Sequence, residues 1–325
     1  MKHLDALAQN IATGDRRALA RAITLIESAR ADHQQEAQAL LQSLSQHKNE
    51  ALRIGLSGTP GVGKSTFIEA FGMMLAEQEL KIAVLAVDPS STRSGGSILG
   101  DKTRMDRLSR APRAFIRPSP SRAHLGGVAR RTRAVVALCE AAGFDIILIE
   151  TVGVGQSETM VAEMSDIFAL LLAPAGGDEL QGVKRGIMES ADLILVNKAD
   201  GDLKPTAIRT VADYTGALRL LRKRAQDPDG FPKAQPVSAL HEDGLAQVWD
   251  DIQTLTNWRK EHGHWHKTRA RQAVHWFEEE VRTGLLARLK DDPEIRAKMQ
   301  DLARQVQDAA LTPDTAAKTL LKALR

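Results

Sequence analysis

Three short stretches of the chain carry residue types whose spacing suits phosphate chemistry. The first is Gly58-Thr59-Pro60-Gly61-Val62-Gly63-Lys64-Ser65-Thr66, which follows an apolar run and opens a helical pattern at Phe67, Ile68, Phe71, Met74 and Leu75. This is a complete phosphate-loop pattern in the strand–loop–helix context it requires. Glycines there let successive backbone N–H groups turn inward as an anion nest, and the helix N-terminus adds its partial positive charge. Gly58, Pro60, Gly61, Val62, Gly63, Lys64, Ser65 and Thr66 are the expected phosphate cradle. Lys64 would reach the β- and γ-phosphates, and the Ser65 hydroxyl would ligate Mg²⁺.

The second stretch names the base. Asn197-Lys198-Ala199-Asp200 closes the apolar run LILV. A carboxylate at Asp200 accepts from both the ring N–H and the exocyclic amine of guanine, while adenine offers neither donor and would leave it unpaired, at a cost of about 1–3 kcal/mol. Lys198 can lay its stem along the base. Further on, Ser238-Ala239-Leu240 follows another short apolar run, and a backbone N–H near Ala239 could donate to the guanine carbonyl. The expected ligand is GTP or GDP.

The third is a set of acids at the ends of apolar runs. KIAVLAVD ends at Asp88 and is followed by a Gly/Ser-rich stretch holding Asp101; IILIE ends at Glu150, with Gly153 three residues on. Asp88, Asp101, Glu150 and Ser65 are candidate oxygen ligands of one Mg²⁺, some of them through water. Asp101 also reads as a solvated loop charge. Val154, not Gln, follows Gly153, so the attacking water lacks its usual orienting residue. A Gly-rich loop, APAGGDELQGVK, ends in Lys184. By spacing alone Lys184 reads as an exposed loop lysine, or as a cation able to swing toward the phosphates.

Positioning these residues requires a sheet whose strand ends converge. Short apolar runs at 52–57, 82–87, 113–117, 145–150, 167–173, 192–196 and 234–238 alternate with helical segments. That alternation predicts an α/β fold with a mostly parallel sheet and helices on both faces. Residues 1–49 and 263–325 read as helical additions around a central domain at 50–262. Thr13-Gly14-Asp15 predicts a break and an N-cap, and Pro293 and Pro313 predict helix starts. The 325 residues are 43% hydrophobic with a net charge of +3, too small to argue for nucleic acid. The single cysteine, Cys139, excludes an internal disulfide. No apolar run reaches the roughly 18 residues needed to cross a membrane, and the N-terminus has no signal-peptide core, so a cytoplasmic location is expected. Arginines crowd residues 104–133 with Asp106 as the local acid, which reads as a solvated or partner-facing surface. His262, His264 and His266 read as a polar hinge, since no Cys or acidic pattern completes a metal site.

GTPGVGKST, VDPSSTRSGGSILGDKTRM, PSRAHLGG, IETVGVGQSE, APAGGDELQGVKRGIME and LVNKAD together resemble the MeaB/ArgK family of P-loop GTPases, continuously over about residues 50–240. The resemblance implies a SIMIBI-class GTPase domain. It implies that Glu150-Thr151-Val152-Gly153 is the natural strand-end motif, that Asp88 and Asp101 lie near the metal, that 174–186 is a third switch, and that Lys184 acts in stimulated hydrolysis. It also implies a chaperone of an adenosylcobalamin-dependent acyl-CoA mutase, methylmalonyl-CoA mutase first among them, which gates cofactor loading and protects the mutase. An adenosyltransferase would stand nearby, and the chain would pair as a homodimer through its C-terminal helices, where Leu285, Leu286 and Leu289 are apolar. The alternatives are a metal-insertion GTPase, which calls for a Cys/His cluster near the switches, and a P-loop kinase.

Overall fold

The computed structural model describes residues 2–47, 49–88, 105–120, 125–151, 157–174 and 185–322. The chain begins with three helices, α1 (Lys2–Ala12), α2 (Arg16–Glu27) and α3 (Ala31–Leu44). Gly14 turns the chain at φ +83°, and the Asp15 carboxylate caps α2 by accepting from the N–H groups of Arg17 and Ala18 at 2.7 and 3.2 Å. The break predicted at residues 13–15 is therefore where the chain turns. Ile11, Leu19, Ile23 and Leu40 are buried within this arm.

The centre is a seven-stranded sheet, with every neighbouring pair parallel. Its strands are β1 (Leu52–Ser57), β2 (Ile82–Asp88), β3 (Ala114–Pro120), β4 (Ile146–Thr151), β5 (Ile167–Leu172), β6 (Leu193–Val196) and β7 (Lys233–Pro236), in the order β3-β2-β4-β1-β5-β6-β7. Strands β4, β5 and β6 are buried throughout, as near-continuous apolar runs covered on both faces must be. Helices α4 (Lys64–Glu77) and α10 (Leu245–Glu261) cover one face, where Phe67, Phe71, Val248 and Ile252 pack with Ile54, Leu56, Leu148 and Leu171. Helices α6 (Leu125–Ala141) and α7 (Ser157–Met164) pack on the other. Gly55 makes room for α7, because a Cβ there would lie 2.3 Å from Ser165 Oγ. The remaining elements are the short helices α5 (Asp106–Arg110) and α8 (Arg185–Ser190), then α9 (Lys204–Arg219), α11 (His264–Asp291), α12 (Pro293–Gln307) and α13 (Pro313–Lys322). Pro293 and Pro313 are first residues of their helices, as predicted. The α1–α3 arm packs on α6. Two compact units emerge, residues 1–269 and 270–325, and the division falls within α11.

Within the arginine-rich stretch 104–133, Arg110 pairs with the local acid Asp106 at 2.8 Å, while three other described arginines find acids far away in sequence. Arg107 donates to Glu242 at 2.9 Å, Arg117 pairs with Glu27 of α2, and Arg113 lies 3.5 Å from Glu79. For Arg107, Arg113 and Arg117 the fold thus supplies acids that the local sequence lacks, and these pairs join distant segments.

At the N-terminal edge of the sheet lies a buried ion network. Arg259 of α10 donates to Asp192 and Asp227, both at 2.6 Å, and to the Asp166 carbonyl at 2.6 Å. Arg224 reaches Asp192 at 2.9 Å, and Arg269 reaches Asp166 Oδ2 and the Ala51 carbonyl at 2.6 Å. Arg53 joins Glu140 through paired bonds at 2.8 and 3.0 Å. Asp166 and Asp192 also accept the N–H groups of the second residues of β1 and β5, Arg53 and Phe168, so the network anchors strand starts as well as charges. Burial would raise the Asp192 carboxyl, but the Arg259 and Arg224 guanidiniums beside it hold it below the ordinary value.

Candidate functional site

Parallel strands put all their C-terminal ends on one edge, and in open α/β sheets ligands bind beyond that edge. β1 is the central strand of the order and releases the phosphate loop there. Gly58 cannot be replaced at the turn: a Cβ would lie 2.3 Å from the Leu171 carbonyl oxygen of β5, a backbone atom held by its strand. Gly63 caps α4 at φ +90°, and a Cβ there would meet Asn197 Nδ2 at 2.6 Å. Helix α4 starts at Lys64, so the N–H groups of its first turn open into the loop.

Lys64 is buried and donates to the carbonyls of Gly58 and Thr59 at 2.7 and 3.2 Å. An ammonium has three donors, so a third remains for a ligand. Burial pulls the Lys64 pKa below its ordinary value, and the charges of Glu150 and Glu158 oppose that shift. Glu150 pairs in register with Leu56 of β1 and Ala86 of β2, which sets it, buried, beside the strand that launches the phosphate loop. Ser65, in the first turn of α4, is half-buried. Asp88 closes β2; its side chain, together with Asp101, Gly153, Val154 and Lys184, lies outside the described residues.

The sequence reading missed two features here. Glu158, the second residue of α7, is buried and close enough to act on the Lys64 charge. Thr151 Oγ1 donates to Ser57 Oγ at 3.0 Å, joining the end of β4 to the residue before Gly58. Neither had a local signal. Glu158 stands within the quoted IETVGVGQSE block, but only the packing of α7 across β1 shows that it turns inward.

The second recognition element is built from the ends of β6 and β7. Asn197 is buried, its N–H donating to the Leu172 carbonyl of β5 at 2.8 Å. Its side chain donates from Nδ2 to the Val62 carbonyl at 2.9 Å and accepts at Oδ1 from the Ala239 N–H at 3.0 Å. Lys198, at φ +58°, stretches across to the Gly61 carbonyl at 2.8 Å. The Ser238 hydroxyl donates to Asp200 Oδ2 and accepts from the His241 N–H at 3.2 Å, fixing the carboxylate by its neighbour's hydroxyl. The structure thus brings together Gly58, Val62, Gly63, Lys64, Glu150, Asn197, Lys198, Asp200, Ser238 and Ala239. One expectation is sharpened: the Ala239 N–H already serves Asn197.

Of the histidines in EHGHWHK, His262 stacks on Trp258 with ring centroids 3.7 Å apart, its Nδ1 within 2.9 Å of the Trp258 carbonyl. Trp265 is buried, donates to Glu50 at 3.0 Å, and carries the Arg269 guanidinium 4.3 Å above its ring.

The chain is similar to known proteins over most of its length. A family model described as "Methylmalonyl Co-A mutase-associated GTPase MeaB" matches residues 19–294. The mouse protein "Methylmalonic aciduria type A homolog, mitochondrial" is 47% identical, over all of this chain and 80% of its own length. The Escherichia coli protein "GTPase ArgK" is 44% identical over 94% of this chain and 92% of its own. A solved structure described as "LAO/AO transport system kinase" superposes with a TM-score of 0.78 at 36% identity, covering 99% of this chain and 97% of that one.

Proposed function

The chain belongs to the MeaB family of methylmalonyl-CoA mutase-associated GTPases, and from that premise we propose that it is a GTP-dependent chaperone of an adenosylcobalamin-dependent acyl-CoA mutase, methylmalonyl-CoA mutase first among the candidates. It is a GTP hydrolase with a SIMIBI-type P-loop fold. Under the proposal, its GTP and GDP states gate cofactor loading and protect the mutase. The observation that carries the guanine part is the Asn197 carboxamide, which holds the phosphate loop and the Ala239 loop at once and leaves Asp200 braced by Ser238.

In this reading the two N–H donors of the guanine edge meet Asp200. The carbonyl donor is the Leu240 N–H, since that of Ala239 is bound to Asn197. Asp200→Asn replaces an acceptor by a donor and should weaken GDP binding by about 1–3 kcal/mol, or roughly fivefold to 150-fold. Fluorescent-GDP titration measures this, and an unchanged affinity would remove Asp200 from the base contact. The triphosphate occupies the loop at 58–66, with Lys64 giving its remaining donor to the β/γ oxygens.

Ser65, Asp88, Asp101 and Glu150 make an all-oxygen donor set of one hydroxyl and three carboxylates, the hard ligands Mg²⁺ takes, and Glu150 is buried beside the strand that carries the loop. Bound Mg²⁺ would neutralise charge on the β- and γ-phosphate oxygens. Water attacks the γ-phosphorus, the bond to the β,γ-bridging oxygen breaks, and GDP and phosphate leave. With Val154 after Gly153, the unassisted rate should be slow, and a partner that orders 174–186 should bring Lys184 to the transferring phosphoryl group.

Lys184→Ala should leave unassisted hydrolysis nearly unchanged and remove most of the mutase-stimulated increment, about a hundredfold or more if Lys184 acts as arginine fingers do. Single-turnover hydrolysis with and without mutase reads this directly. Retained stimulation would remove Lys184 from the role. Recovery of a cobalamin-dependent mutase by the GTP- or GDP-loaded protein, read by mass spectrometry, tests the partner itself; an adenosyltransferase is the second expected companion. The proposed workplace is the cytoplasm. A homodimer is proposed through α11, where Val274, Phe277, Val281 and Leu285 recur at helical spacing and are 58, 67, 46 and 49% exposed.

A further inference from the structure

Away from the nucleotide edge, the α1–α3 arm borders an open cleft of about 970 Å³ against β3 and α6. This is the size range of small-molecule sites. Its wall has an apolar part and a charged part. Leu4 and Leu7 of α1 and Leu25 of α2 are half-buried and line it. Leu4 and Leu7 continue the line of the buried Ile11, and Leu25 that of the buried Ala18 and Ala22, so the arm's apolar face is wider than the surface its own packing covers.

The charged part is asymmetric. Glu27 is engaged by Arg117, Glu36 lies 3.8 Å from His3, and His33 Nδ1 lies 2.9 Å from Ser28 Oγ. Arg21 and Arg131 also line the cleft, on α2 and α6, and among the described residues neither has an acidic partner. Of the two acids of the wall, Glu27 is held by a guanidinium and Glu36 has an imidazole beside it, which leaves Arg21 and Arg131 beside three leucines.

We propose that this cleft is a second ligand site, which takes an organic anion with a linear apolar body and one oxyanion head, the body on Leu4, Leu7 and Leu25 and the head on Arg131 and Arg21. The planar guanidinium fork matches carboxylate and phosphate oxygens alike, so the head is defined by its charge and its paired oxygens. The head faces α6, the helix that packs on β2, and the site is separate from the phosphate loop. It goes beyond the GTPase reading and does not depend on it.

Calorimetric titration of the full chain, loaded with GDP, tests the assignment with four probes of one chain length: octanoate, octyl phosphate, octanol and octylammonium. Saturable binding of octanoate, octyl phosphate or both is expected, with octanol and octylammonium at least tenfold weaker. Arg131→Gln and Arg21→Gln should each weaken the anionic probes by about tenfold, as loss of a charge-assisted contact does. Both are surface helix positions remote from the nucleotide, so unchanged basal GTP turnover certifies the fold. Leu7→Asn should weaken anion and alcohol together. Three outcomes would overturn the proposal: no saturable binding of either anion, octanol binding as tightly as octanoate, or anion affinity indifferent to both arginine substitutions.

Discussion

Lys64→Met is expected to slow GTP hydrolysis by about a thousandfold at saturating nucleotide, the scale seen when a preorganised donor to transition-state charge is lost. Methionine keeps the apolar stem and removes only the charged tip. That tip is buried, so its field acts with little screening by water. Its loss also leaves the Glu150 and Glu158 charges uncompensated next to incoming phosphates. The effect on GDP affinity should be smaller than that on turnover, because the developing charge sits on the γ-phosphoryl group that GDP lacks. Single-turnover hydrolysis beside GDP titration separates the two, and a rate within tenfold of wild type would mean that Lys64 only shapes the loop through Gly58 and Thr59.

Arg259→Ala is expected to destabilise the 1–269 unit by about 3–5 kcal/mol, the cost of removing one partner from a buried ion cluster. It would leave Asp192 and Asp227, each buried and each accepting from Arg259 at 2.6 Å, with Arg224 as the one guanidinium still beside both. Pairing Arg259→Met with Asp192→Asn should recover much of the loss, since the uncompensated charge is gone. The pH dependence has a definite sign. Asp192 titrates below its ordinary value in the fold, so its contribution is fully present above roughly pH 3.9 and is lost as pH falls through the depressed value. In Arg259→Ala the same carboxyl, buried without that guanidinium, protonates more readily, and the gap between variant and wild type should narrow in acid. Urea denaturation at neutral and acid pH measures both effects. A loss below 1 kcal/mol at neutral pH would show that the network is dispensable.

The nucleotide edge was legible because its constraints are local. Gly58 and Gly63 must be glycine for reasons a Cβ makes plain, and β4, β5 and β6 are apolar without interruption because parallel strands are covered on both sides. The strand ends at Asp88, Glu150 and Asn197 follow from where those runs stop. The rest depended on long-range closure. Arg269 meets Asp166 across 103 positions and Arg117 meets Glu27 across 90, and no window of sequence contains both partners. For the same reason Arg107, Arg113 and Arg117, within the arginine-rich run 104–133, looked short of acids. Glu158 was in view as a letter, but its direction is set by the helix carrying it, and the cleft beside α1–α3 exists only once α6 has closed against the arm.

The Asn197 carboxamide has a kinetic consequence. It spans from Val62 to Ala239, which are 135 and 42 positions away from it in the chain. Loosening of the phosphate loop releases the amide at Nδ2, and the freed side chain then lets go of the Ala239 amide hydrogen. That hydrogen is therefore expected to lose protection from solvent exchange when the phosphate loop opens, although it belongs to the opposite wall. One side chain thus latches the two walls, and one backbone amide is placed to report on it.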